Sequence, residues 1–80
     1  MTACDIINTY VKKGLSNQRI ANLIGISRSV VCKHRAGTTA KVLFGTAYAI
    51  FKSTGLVVDG YLVEEFYKHE EFLSELPEWQ

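Results

Sequence analysis

Apolar residues recur near the start of this chain with the three- and four-residue spacing of an amphipathic helix. Thr2 and Asp5 form a capping-box-like start to the segment, and Gly14 ends it. The pattern therefore predicts a first helix over residues 3–13. The apolar positions on its inner face are Ile6, Ile7, Tyr10 and Val11.

Two shorter helical patterns follow, and a glycine separates them. Ser16 and Ser27 each precede one pattern, where a serine hydroxyl can accept a backbone N–H as an N-cap. Ala21 lies where two helices would cross closely, and Gly25 tolerates the positive φ of a tight turn between them. The predicted elements are a helix over about 17–24, a turn, and a helix over about 28–36 that Gly37 ends. Ile20, Ile24, Ile26, Val30 and Val31 are expected to form the core of this unit.

A fourth helical pattern runs from Ala40 to Ser53. Thr38 or Thr39 is expected to cap its start, and Gly55 to stop it. Its apolar stripe, which should close the core, consists of Leu43, Phe44, Ala47, Ile50 and Phe51.

The stretch after Gly55 allows two interpretations. Asp59 and Gly60 stand between two β-branched or aromatic runs, which is a hairpin signal and would give a mixed α+β domain. Alternatively, Asp59 caps a helix over about 60–75 that ends before Pro77, as the interleaved glutamates and apolar residues favour. We prefer the second interpretation, an all-α, compact five-helix domain spanning residues 1–80.

The segment from residue 15 to residue 37 resembles the helix-turn-helix of the phage lambda repressor and Cro family. Ala21, Gly25, Ile26 and Ser27 stand in register with that motif, which covers about a quarter of the chain. His34 departs from the pattern, since the family usually has an aliphatic residue or tryptophan there, and we expect a partly buried packing histidine. The resemblance implies a lambda-repressor-like fold and sequence-specific binding to double-stranded DNA.

The net charge of +1 conceals two halves of opposite sign. Residues 1–41 contain seven lysines and arginines and one aspartate, for a net charge of +6. Residues 42–80 contain two lysines and seven carboxylates, for a net charge of −5. A basic half fits a DNA-binding face, and an acidic half would be held away from the phosphates. The alternative is that the charged residues only form solvated surfaces.

The second helix of the motif is expected to enter the major groove. Arg28 is the strongest candidate for base recognition, because a guanidinium can bond guanine O6 and N7 together. Ser29 and Lys33 follow, with Ser27 and Cys32 as secondary candidates. Arg35 could contact DNA or simply oppose the helix dipole. Matches to family positions imply phosphate contacts from Asn17, Gln18, Thr38, Thr39 and Lys41.

Specific regulators of this size usually combine two half-sites, so we expect a homodimer on a palindromic operator. Its interface is assigned to apolar residues that four other helices cannot all cover, namely Phe66, Phe72, Leu73, Leu76 and Trp79. The expected function is transcriptional repression of the phage or prophage Cro-like type. The alternative is an antitoxin-like regulator that holds a protein partner through its acidic half.

Other classes of function have little support in the sequence. There is no nucleophile–base pair and no phosphate-binding loop, so no enzyme activity and no cofactor are expected. Cys4 and Cys32 belong to no metal-ligand or disulfide pattern, which predicts reduced thiols and no bound metal. The absence of an apolar run long enough for a membrane span or signal segment predicts a cytoplasmic protein of a bacterium or phage-infected cell.

Overall fold

A computed structural model describes residues 1–37 and 41–75 of the chain. Those residues contain helices and no strand, which confirms the all-α class and gives no support to the hairpin alternative. No helix within the described ranges is long and apolar enough to cross a membrane. The helices are α1 (Ala3–Lys12), α2 (Asn17–Ile24), α3 (Arg28–Ala36), α4 (Phe44–Thr54) and α5 (Val63–Glu75).

The starts of the first three helices follow the predicted caps. Thr2 and Asp5 exchange both bonds of a capping box at α1. The hydroxyl of Ser16 accepts the backbone N–H of Arg19 at 3.2 Å, which satisfies one of the free donors at the start of α2. Local capping chemistry therefore fixes these boundaries to within a residue of the sequence prediction.

The core lies where α3 packs against α1 and α2, with α4 against α2. The predicted packing residues Ile20, Ile24 and Val31 are all buried, whereas Ile26 and Val30 are half-buried at the edge. His34 is also buried, at 5 % exposure, as expected for a packing residue. The fully enclosed apolar side chains include Ile6, Ile7, Ile50, Val58 and Phe66.

The predicted start of the fourth helix is wrong. Residues 41–43 are not helical, and α4 begins at Phe44 with Leu43 as its N-cap in an extended conformation. Thr38 and Thr39, the expected caps, lie outside the described residues. The hydroxyl of Tyr61 donates to the carbonyl of Val42, so a contact distant in sequence holds this stretch out of the helix. The predicted end at Gly55 is confirmed by its left-handed conformation, with φ of 77°.

Phe66 belongs to the core and not to an interface, so its assignment to the dimer surface is wrong. Its side chain has no exposed area, because α4 and the loop before α5 supply aromatic rings on several sides. Its ring centroid lies 4.9 Å from that of Phe51 and 5.5 Å from that of Phe44. The helix also begins later than predicted, because Asp59 and Gly60 form a turn.

Candidate nucleic-acid interface

The turn between α2 and α3 is closed by backbone hydrogen bonds to one carbonyl. Gly25 adopts φ of 89°, and its N–H donates to the carbonyl of Ala21 at 2.8 Å. The N–H of Ile26 donates to the same oxygen at 3.1 Å, which is the bond of a Schellman-type helix ending. Ala21 itself is 2 % exposed, so its small side chain lies in the contact between the two helices. The predicted bounds of the two helices and the turn at Gly25 are confirmed.

One side of α3 presents polar side chains to solvent. The Ser27 hydroxyl accepts the N–H of Val30 at 3.3 Å, so it serves as the helix cap. Arg28, Ser29 and Lys33 are exposed and share one side of the helix, opposite the buried Val31. We call these three residues the α3 face. Its exposure makes it a candidate surface for a macromolecule.

An amide bridge between α2 and α3 was not predicted from the sequence. Asn17 donates from Nδ2 to the sulfur of Cys32 at 3.2 Å. Its Oδ1 accepts from Nη1 of Arg35 at 2.8 Å, which holds the guanidinium beside the first residue of α2. Cys32 is therefore half-buried with its sulfur engaged, and not directed fully outward as expected. Only contacts between the two helices reveal this pairing, and no spacing along the chain indicates it.

Of the other residues that were predicted to contact phosphates, two are exposed and two lie outside the described residues. Gln18 is exposed and donates from Nε2 to Oδ1 of Asn22 at 3.0 Å, one turn further along α2. Lys41 is exposed just after the gap in the description. Thr38 and Thr39 fall inside that gap, outside the described residues. Gln18 and Lys41 are thus accessible, while Asn17 is committed through its amide to Cys32 and Arg35.

His34 lies on the opposite side of α3 from the α3 face. Burial lowers the pKa of its imidazole, because the charged form would lose solvation that the neutral form does not need. The ring is therefore neutral at pH 7 and has one N–H donor and one acceptor nitrogen. The neutral ring therefore packs on the buried side of α3 without placing a charge there.

Three apolar side chains of α5 are exposed among its carboxylates, at different angles around the helix. Phe72 is 58 % exposed and Leu73 is 45 % exposed, in agreement with their assignment to a surface. Tyr67, at 55 % exposure, belongs to the same exposed group. Leu76 and Trp79 lie outside the described residues. We call Tyr67, Phe72 and Leu73 the α5 apolar patch.

Comparison of the chain with models of known families, with curated proteins and with solved structures finds no match. The function must therefore be argued from the geometry of this chain alone.

Proposed function

We propose that this chain is a sequence-specific double-stranded DNA-binding repressor, similar in mode of action to the phage Cro type. In this proposal α3 lies in the major groove and the α3 face contacts base edges. Arg28 recognises guanine, while Gln18 and Lys41 contact phosphates on either side. The protein acts in the cytoplasm of a bacterium or phage-infected cell, and it represses by occupying the operator.

One observation carries this proposal, namely the exposed polar α3 face on a helix that packs against both α1 and α2. The cap at Ser27 and the closed turn at Gly25 fix the direction of this helix. Buried Val31 anchors its inner side. A helix with an exposed polar and cationic face matches the width of the major groove, about 12 Å, and the negative charge around it.

The proposed assembly is a homodimer that joins two copies through the α5 apolar patch. One module of this size buries only about 600–1,000 Å² on DNA, so two copies on a palindromic site would supply the affinity of a specific regulator. The same patch, surrounded by carboxylates, is also the observation that favours the alternative, an antitoxin-like chain bound to a different protein.

The test is selection of bound sequences from a random duplex pool, with wild type and Arg28→Ala at two salt concentrations. A palindromic motif in the wild type that loses preference at one base pair in the variant is the expected result. The lost contact corresponds to about 1–3 kcal/mol of discrimination. Arg19→Ala is a matched control, because Arg19 is an exposed arginine on α2 and outside the α3 face.

Two outcomes would contradict this assignment. Recovery of no motif, with binding that disappears as salt rises, would leave only general attraction to phosphates. Copurification of a second protein in a fixed ratio with the chain, without a DNA motif, would favour the antitoxin-like alternative.

A further inference from the structure

A hydrogen-bonded cluster of side chains joins the start of α2 to the side of α3. Oδ1 of Asn17 accepts from Nη1 of Arg35 at 2.8 Å, and Nδ2 of Asn17 donates to the sulfur of Cys32 at 3.2 Å. A guanidinium has only donors, so the amide oxygen must face Arg35 and the amide nitrogen faces the weakly accepting sulfur. The chemistry of its two partners therefore fixes the orientation of the Asn17 amide.

The bond to Asn17 distinguishes between the two interpretations of Arg35 that the sequence allows. An arginine that opposed the dipole of its own helix would lie along the last carbonyls of α3. The guanidinium instead bonds to the first residue of another helix, and no carbonyl or carboxylate within residues 1–37 and 41–75 accepts from it. Arg35 is exposed, so its charge and its other N–H groups can contact a negatively charged partner.

Arg35 lies on the same side of α3 as the arginine that is proposed to contact guanine. Arg28 and Arg35 are seven residues apart, which is close to two full helical turns, and both are exposed. The helical rise places Arg35 about 10 Å beyond Arg28 along the axis. The major groove is about 12 Å wide, so a guanidinium at that distance from a base contact lies near the phosphates at the border of the groove.

We propose that Asn17 is a positioning residue that holds Arg35 against a DNA phosphate. The bond from Asn17 restricts a long side chain before DNA binds, so less conformational entropy is lost when the phosphate contact forms. The other N–H groups of Arg35 donate to the phosphate oxygens. This inference rests on the proposed function, and it gives Asn17 a role through Arg35 in place of the direct phosphate contact that the family resemblance implies.

The experiment measures affinity for two short duplexes over a range of salt concentrations, with wild type, Arg35→Ala, Asn17→Ala and the double variant. One duplex carries the selected motif, and the other has the same bases in scrambled order. Arg35→Ala should weaken binding to both by about tenfold, because a phosphate contact carries no sequence information. It should also reduce the slope of log affinity against log salt concentration by about 0.9, which corresponds to one phosphate contact.

Asn17→Ala should weaken binding several-fold and leave the salt slope unchanged, because the charge of Arg35 remains. The loss in the double variant should equal that of Arg35→Ala alone, since Asn17 acts only through Arg35. Asn8→Ala is the matched control, because Asn8 donates to the sulfur of Cys4 at 3.2 Å as Asn17 does to that of Cys32, but without a bond to an arginine. It should leave both the affinity and the slope as in wild type.

A purely structural bridge between α2 and α3 would give a different result. Both single variants would then lower the free energy of unfolding in urea, while the folded protein kept its affinity and its salt slope, and the proposal would be overturned. Additive losses in the double variant, or a loss in Arg35→Ala without one in Asn17→Ala, would also overturn it. If wild type binds neither duplex, the proposed function itself fails. If wild type and Arg35→Ala bind equally well, only this inference fails.

Discussion

At the scale of single residues, Gly25 has a backbone conformation that other residues adopt only with strain. Its φ is +89°, and a Cβ built at this position meets no atom within 4 Å, so the cost of alanine is purely conformational. We predict that Gly25→Ala lowers the free energy of unfolding by about 1 kcal/mol in urea denaturation. Gly45→Ala is the control, because Gly45 is helical with open space around it, and alanine there should stabilise by about 0.5 kcal/mol. Equal effects of the two substitutions would contradict the strain argument.

His34 should make stability depend on pH. Burial lowers the pKa of its imidazole below the ordinary value of 6.5, so the unfolded chain binds a proton more readily than the folded chain. The stability from the neutral ring is complete above about pH 6.5 and is lost as the pH falls through the lowered pKa. Thermal unfolding from about pH 7.5 to 5 should therefore show a steeper loss of stability in wild type than in His34→Phe. Parallel curves for the two proteins would contradict this expectation.

The burial of a residue was predictable from the sequence only where the periodicity of its own helix determines it. Val31 and Ile20 follow the periodicity of α3 and α2, and both are fully buried as predicted. Phe66 was misassigned because rings from α4 and from the loop at Tyr61 surround it, and periodicity within α5 does not show them. Cys32 was expected to be exposed for the same reason, since its partner Asn17 lies on another helix.

At the scale of elements, the start of α3 depends on one hydroxyl. Ser27→Ala removes the acceptor for the N–H of Val30 and leaves that donor without a protein partner. We predict a loss of about 1 kcal/mol in the free energy of unfolding, measured by urea denaturation. Ser29→Ala is the matched control within the same helix, because Ser29 is exposed and its change should stay within about 0.5 kcal/mol. If Ser29→Ala cost as much as Ser27→Ala, the cap would not be the cause.

Helix boundaries were predictable where the capping chemistry is local. Ser16, Ser27 and Gly37 give the limits of α2 and α3 as the structure has them. The start of α4 was not predictable, because Leu43 is an N-cap without a side-chain acceptor and offers no signal in the sequence.

At the scale of the whole molecule, the basic residues and the α5 apolar patch belong to different halves of the chain. The candidate DNA contacts come from the basic residues 1–41, whereas the α5 apolar patch belongs to the acidic remainder of the chain. A partner held at α5 would thus be attached through the half whose charge DNA repels. An interface at α5 would therefore use residues other than those proposed to contact DNA.

The proposed dimer gives the last prediction. Wild type should sediment as a dimer at high concentration and dissociate on dilution, and Leu73→Glu should remain a monomer because it introduces a charge into the α5 apolar patch. Leu73 is 45 % exposed, so the substitution should leave the folded monomer and its helical circular dichroism intact. Leu43→Glu is the control, since Leu43 is 70 % exposed and lies outside the patch. If Leu73→Glu and wild type dimerise equally, α5 is not the interface. If wild type is a monomer at every concentration, the patch must instead serve a different protein.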